Sequence, residues 1–111
     1  MRFMTNPIAP SCKMDADDVF KALAHPARRQ ILAWLKEPEK NFHEQLLSFD
    51  NGVCAGRIFA RTELSQSTVS AHLACLQRAG LVSTTKIGQW IFYKRNEALI
   101  EAFQAQIREA L

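Results

Sequence analysis

Residues 64–82 read LSQSTVSAHLACLQRAGLV and contain the helix that decides the fold. Ser65 is a favourable N-cap, and apolar side chains follow it with helical spacing at Val69, Leu73 and Leu76. The opposite side of the helix is uncharged, whereas a solvated helix typically carries Glu and Lys pairs. Because short hydroxyl and amide groups let a helix lie close to base edges and phosphates, this pattern predicts a DNA-recognition helix. Its outward residues are Gln66, Ser67, Ser70, Ala71 and Gln77.

Residues 53–64 predict a short strand-like entry followed by a second helix. The apolar side chains of that helix are Ile58, Phe59 and Leu64, and the chain turns at residues 63–65 into the recognition helix. Two helices joined by a tight turn, with the second helix polar on its outer side, form a helix-turn-helix.

Residues 82–94, VSTTKIGQWIFYK, have the β-branched and aromatic composition of strands, with Gly88 near the middle. This pattern predicts a β-hairpin. Its tip at Lys86, Gly88 and Gln89 is basic and polar, as a wing needs to reach the DNA backbone or minor groove. The aromatic side chains after the tip are expected to anchor the hairpin on the core, and a stacking platform for single strands is the alternative. They are Trp90, Phe92 and Tyr93.

Three more helices surround this unit. The first begins after Asp15, the second begins at Pro26 and ends before Pro38, and the last begins near Asn96. Residues 37–52 form either a short helix or part of a loop. The apolar stripes comprise Ala16, Val19, Phe20 and Leu23 in the first helix, Ile31, Leu32 and Leu35 in the second, and Leu99, Ile100, Phe103, Ile107 and Leu111 in the last.

These elements predict a mainly α-helical winged helix-turn-helix with a small β-hairpin. The 111 residues suffice for one domain, placed at residues 15–111 after a flexible arm at residues 1–14. The first and last helices carry more apolar surface than one small core needs, so they are expected to form a homodimer interface. The alternative is that the last helix packs on its own domain. The predicted interface residues are Val19, Phe20, Leu23, Leu99, Ile100, Phe103 and Ile107.

The positive charge lies in the middle of the chain. Residues 57–95 contain six Lys or Arg and one Glu, whereas residues 1–56 contain seven basic and seven acidic residues. A positive centre that includes the recognition helix suits double-stranded DNA, because phosphate contacts supply much of the affinity. A solvated charged surface would also account for this distribution.

Several classes of function are not expected. No run approaches the roughly 18 apolar residues of a membrane span, and the N-terminus MRFMTNPIAPSCKM lacks the apolar core of a signal peptide, so the protein is expected to be cytoplasmic with no membrane partner. Cys12, Cys54 and Cys75 form no CxxC pair and are expected to be reduced thiols. No set of Ser, His and acid or of Cys, His and acid stands out, and no glycine-rich phosphate loop is present, so an enzyme is not expected.

Two blocks resemble the arsenical-resistance repressor (ArsR) family of bacterial winged helix-turn-helix regulators. The first is FKALAHPARRQILAWL at residues 20–35, and the second is residues 64–82 together with Gly88 and IFYK. The resemblance implies a homodimer that binds a partly palindromic operator and represses transcription until an inducer releases it.

The resemblance also places the DNA contacts. The recognition-helix positions fall on Gln66, Ser67, Ser70 and His72, although an inward His72 bonded to a backbone carbonyl is the alternative. Thr68 falls near a phosphate in the first turn. Ala71 departs from the family, which often has a long polar or basic residue there. The wing-tip positions are Lys86 and Gln89.

The metal-binding patterns of the family do not match. Its cysteine pair falls on Cys54 and Gly56, its acidic position falls on Arg57, and residues 96–111 contain neither His nor Asp. We therefore expect no metal or cofactor, and an unidentified small organic inducer, or none. A thiol-based sensor of arsenite or of redox state that uses Cys12 and Cys54 is one alternative, and a winged-helix adaptor that binds protein instead of DNA is another.

Overall fold

A computed structural model of the chain describes residues 14–111. Of the predicted arm at residues 1–14, residues 1–13, which include Cys12, lie outside the described residues. Within the described range, six α-helices surround a small antiparallel sheet. The helices are α1 (Ala16–Leu23), α2 (Pro26–Lys36), α3 (Pro38–Asn41), α4 (Ala55–Arg61), α5 (Gln66–Arg78) and α6 (Glu97–Ala110), a 3-10 turn spans Phe49–Asn51, and the strands are β1 (Val53–Cys54), β2 (Val82–Ile87) and β3 (Trp90–Arg95).

The helices begin at the residues that the sequence predicts. The Asp15 carboxylate accepts hydrogen bonds from the backbone N–H groups of Asp17 and Asp18 at 2.9 and 3.4 Å and caps α1. Asn96 caps α6 by accepting from the N–H of Leu99 at 3.2 Å. The helix predicted within residues 64–82 is confirmed as α5.

The sheet has the order β1-β3-β2. The predicted hairpin is confirmed as β2 and β3, which meet at a two-residue turn where Gly88 has a φ of +64°. The strand-like entry is β1, and it pairs with β3 so that Val53 lies opposite Tyr93. This pairing joins the start of α4 to the wing and adds a third strand to the predicted hairpin.

Residues 37–52, the least predictable segment, contain α3 and the 3-10 turn. Gly52 then passes so close to β3 that a Cβ atom at this position would lie 2.7 Å from the backbone oxygen of Tyr93. Its φ of +103° is also one that only glycine adopts easily. The segment therefore reaches β1 through a glycine-dependent contact.

Leu64 and Trp90 depart from the predictions made for them. Leu64 lies beyond the end of α4 and is 45% exposed, because the helix stops at Arg61 and the chain turns outward. Of the wing aromatics, Phe92 is 1% exposed and anchors the hairpin, whereas Trp90 is 38% exposed near the tip. Tyr93 is half-buried against the core.

The packing of α6 corrects the predicted dimer interface. Val19 and Leu99 are fully buried within the protomer, and Ile100 and Phe103 are each only 9% exposed. These side chains therefore belong mainly to the core of one subunit. Phe20 is 48% exposed, and its ring lies edge-on to the ring of Phe103 with the centroids 5.1 Å apart. Leu23 and Ile107 are partly exposed beside them.

Across residues 14–111 no helix combines the length and the apolar character needed to cross a bilayer.

Candidate DNA interface

Helix α5 has one buried side and one exposed side. Val69, Leu73 and Leu76 are at most 1% exposed and pack on the core. Gln66 and Ser70 are exposed on the other side, and no hydrogen bond joins the side chain of either to another described residue. Their amide and hydroxyl groups are therefore available to a ligand along the first two turns of the helix.

Hydroxyl groups hold the turn between α4 and α5. The Thr62 hydroxyl accepts a hydrogen bond from the N–H of Leu64 at 2.8 Å, and the Ser65 hydroxyl accepts one from the N–H of Thr68 at 3.2 Å. The Ser65 hydroxyl also donates to the Thr68 hydroxyl oxygen at 2.8 Å and lies 3.3 Å from the Ser67 hydroxyl. Because the Thr68 oxygen accepts from Ser65, the Thr68 O–H is not used within this cluster and can donate to a phosphate oxygen.

His72 does not lie on the exposed side of α5. Its side chain is buried, with the residue 7% exposed, and its Nδ1 lies 3.2 Å from Nη1 of Arg28. Because a guanidinium only donates, Nδ1 accepts and the ring is neutral, with its proton on Nε2. The inward alternative is therefore the one observed, with the Arg28 side chain as the partner instead of a backbone carbonyl. His72 is therefore not available for the DNA contact predicted for it.

Arg28 is a structural residue that the sequence pattern did not reveal. Its Nε donates to the backbone oxygen of Ala22 at 2.7 Å, and its Nη2 donates to that of Lys21 at 3.2 Å. Arg28 thus joins the C-terminal end of α1 to the buried side of α5. The sequence does carry one indication of this role. A basic residue in the first turn of a helix is unfavourable next to the positive end of the helix dipole, so its presence there indicates that the side chain is stabilised by other contacts.

His25 packs against His72 beside the contact with Arg28. The rings of His25 and His72 have centroids 4.4 Å apart, and His25 Nδ1 accepts from the N–H of Ala27 at 3.2 Å, which caps α2. Burial, followed by the nearby His25 and Arg28, lowers the pKa of His72 below its ordinary value. The environment therefore keeps His72 uncharged.

The wing presents Lys86 and Gln89 as exposed side chains on either side of Gly88. No atom lies within 4 Å of where a Cβ of Gly88 would be, so the turn needs glycine for its φ and not for space. At the base of the hairpin, Gln77 of α5 donates to the hydroxyl of Thr84 in β2 at 3.4 Å. This contact ties the wing to α5.

The basic residues of the central segment fall into two groups. Three are engaged within the fold: Arg61 lies 4.4 Å from the Trp34 ring centroid, Lys94 donates to the Asp50 carbonyl, and Arg95 pairs with Glu97. The side chains of the other three are exposed and make no hydrogen bond or ion pair with any described residue. They are Arg57, Arg78 and Lys86.

The described residues contain no group of three or more His, Cys, Asp or Glu side chains that could hold a metal ion. Cys54 and Cys75 are free, partly buried thiols. The hypothesis of a Cys12 and Cys54 sensor is not tested, because Cys12 lies outside residues 14–111.

Comparison with known proteins identifies the family. Residues 45–84 match the family model described as bacterial regulatory protein, arsR family. An uncharacterized HTH-type transcriptional regulator of Bacillus subtilis, YbzH, is 44% identical over 89 residues, which cover 78% of this chain and 89% of YbzH. The chain therefore belongs to the arsR family of bacterial transcriptional regulators.

Two further relatives have assigned names. The transcriptional activator HlyU of Vibrio cholerae is 38% identical over 84 residues, covering 76% of this chain and 66% of the relative. A solved HlyU structure covers 86% of this chain and 92% of its own with a TM-score of 0.57 and 34% identity. The transcriptional repressor SdpR of Bacillus subtilis is 31% identical over 85 residues, which cover 77% of this chain and 80% of SdpR. These relatives are regulators and not enzymes.

Proposed function

We propose that this protein is a homodimeric repressor that binds a partly palindromic operator in double-stranded DNA and is released by a small-molecule inducer. The observation that carries the proposal is the exposed side of α5, where unpartnered Gln66 and Ser70 accompany Ser67 and Thr68. Amide and hydroxyl groups at the start of a recognition helix suit base edges and nearby phosphates. We assign Lys86 and Gln89 of the wing to the adjacent backbone or minor groove.

Electrostatics support DNA over a protein partner. Arg78 and Lys86 have no acidic partner among the described residues, so their charge is available to phosphates. Affinity for duplex DNA should then weaken steeply as salt is added. Binding that is absent, or indifferent to salt, would favour an adaptor that uses the same fold to bind protein.

The test of DNA reading is selection of bound sequences from random duplexes, followed by affinity measurement on the recovered site. Ser70→Glu places a negative charge against the groove and should abolish specific binding. Ala105→Glu is the matched control, because it adds the same charge at an exposed position of α6. Equal operator affinity for the two variants would contradict the assignment of α5.

The dimer is proposed on the part of α1 and α6 that the protomer leaves uncovered. Phe20, 48% exposed against the Phe103 ring, lies at its centre, with Leu23 and Ile107 beside it. Phe20→Glu should yield monomers in sedimentation, whereas Leu46→Glu, at an 80% exposed leucine outside this surface, should not. An unchanged dimer in Phe20→Glu would overturn the interface.

Repression is the direction we propose, and the names of the relatives include both an activator and a repressor. A reporter gene placed behind the selected operator distinguishes the two. Expression should fall when the protein is supplied and should be restored in the Ser70→Glu variant. A rise in expression on adding the protein would identify an activator.

A further inference from the structure

A cavity of about 260 Å³ lies between the wing, the start of α4 and the segment before the 3-10 turn. Leu46, Leu47, Trp90 and Phe92 form its apolar walls. Its volume is below the roughly 300–1,000 Å³ typical of sites for drug-sized ligands, so it suits a molecule with a single ring.

One wall of the cavity is held in place by an amide. Gln45 donates through Nε2 to the Gly52 carbonyl and accepts through Oε1 from the N–H of Cys54, both at 2.8 Å. These bonds anchor the segment that carries Leu46 and Leu47 on β1. The cavity is therefore largely preformed and does not need a ligand to assemble it.

The walls leave apolar surface uncovered. Leu46 is 80% exposed and Trp90 is 38% exposed, although both residue types gain free energy from burial. An apolar ring placed between them would cover part of this surface, and an aromatic ring would also contact the face or edge of the Trp90 indole.

Among the described residues that line the cavity, Arg57 alone is charged. The Arg57 guanidinium makes no hydrogen bond or ion pair with any residue in the described part of the chain. Arg61, one turn later on the same helix, is instead committed to the Trp34 ring and the Asn41 carbonyl. A guanidinium that lacks a partner beside apolar walls selects a planar anion, because its forked N–H groups match the two oxygens of a carboxylate.

We propose that this cavity binds a small aromatic carboxylate, with the carboxylate on Arg57 and the ring against Trp90 and Leu46. The ligand would contact the first helix of the helix-turn-helix and the wing at the same time, because Arg57 lies in α4 and Trp90 begins β3. Occupancy should then change how these two elements sit relative to each other. This second step rests on the proposed function, in which the wing and α5, the helix that follows α4, contact DNA.

Benzoate is the probe for the site, and neutral benzamide is its matched control. The chain has two tryptophans, so the indole N–H signals of Trp90 and Trp34 can be followed by NMR in the full-length protein, with Trp34 as the internal reference. Benzoate should shift the Trp90 signal saturably and leave the Trp34 signal in place. Equal binding of benzoate and benzamide, or no saturable shift of Trp90, would overturn the site.

Arg57→Gln should weaken benzoate binding by about tenfold or more, as expected for the loss of a charge-assisted pair. Arg78→Gln removes an exposed arginine that does not line the cavity and should leave the benzoate affinity unchanged. Equal benzoate affinity for the Arg57→Gln and wild-type proteins would also overturn the proposal.

Benzoate should lower the affinity for the selected operator in the wild-type protein and have no such effect in Arg57→Gln. Operator affinity that benzoate leaves unchanged would overturn the coupling. Because the NMR measurement contains no DNA, failure to bind any duplex would contradict the proposed function and leave the assignment of the cavity intact.

Discussion

The contact made by Arg28 predicts a measurable difference between two adjacent arginines of α2. Arg28→Met keeps most of the aliphatic stem but removes the bonds to the Ala22 carbonyl and to His72, both of them partly buried. At about 1–1.5 kcal/mol for each partly buried bond, the variant should lose roughly 2–3 kcal/mol of unfolding free energy. The third bond, to the Lys21 carbonyl, is exposed and adds little because water replaces it.

Arg29→Met is the matched control, since Arg29 makes a single exposed bond to the Leu23 carbonyl, and it should cost less than about 1 kcal/mol. Urea denaturation of the two variants measures the difference. NMR titration gives an independent readout: Arg28 is one of the groups that lower the pKa of His72, so this pKa should rise in Arg28→Met. Equal losses of stability in the two variants, or an unchanged pKa of His72, would refute the account.

Three further predictions concern stability. Gly52→Ala should lower the free energy of unfolding by at least about 1–3 kcal/mol, because φ is +103° and the new Cβ atom meets the Tyr93 backbone. Gly56→Ala is the control, because its Cβ atom meets nothing within 4 Å in a helix and should stabilise the protein slightly. Equal melting temperatures for the two variants would contradict this prediction. The pKa of His72 is lowered in the folded protein, so the stability of the wild type should fall as pH drops below about 6.5. Denaturation measured across this range should show a smaller decline for His72→Asn. A hydrogen bond from Arg95 lowers the pKa of Glu97, so stability should also fall as pH drops below 4.5. A denaturation profile that is the same in the wild type and in Glu97→Gln would contradict this prediction.

The local elements were predictable because their signals are short in range. Ser65 caps the helix that follows it, and the apolar spacing after it places one side of α5 on the core. Gly88 sets the turn of the wing through its own backbone. The outward side of α5 follows from the same spacing, which is why Gln66, Ser67 and Ser70 are exposed as expected.

The orientation of His72 could not be predicted from local patterns. Periodicity places it near the boundary between the two sides of α5, and the choice depends on Arg28, which is 44 positions earlier in the chain. The apolar stripe of α6 is a similar case, since its spacing is equally compatible with a core and with a subunit contact. Leu99 is fully buried within one chain, and only this packing shows that it belongs to the core and not to a subunit contact.

The sequence by itself determined the winged helix-turn-helix, its caps and turns, and the polar character of the recognition helix. Caps, turns and helical periodicity depend on residues a few positions apart, so they can be read directly from the chain. Tertiary structure alone decided which side chains meet across long separations: the Arg28 contact with α5, the pairing of β1 with β3, and the cavity that brings Arg57 to Trp90. Such contacts arise from the packing of whole elements, and local patterns carry no information about which distant residues that packing brings together.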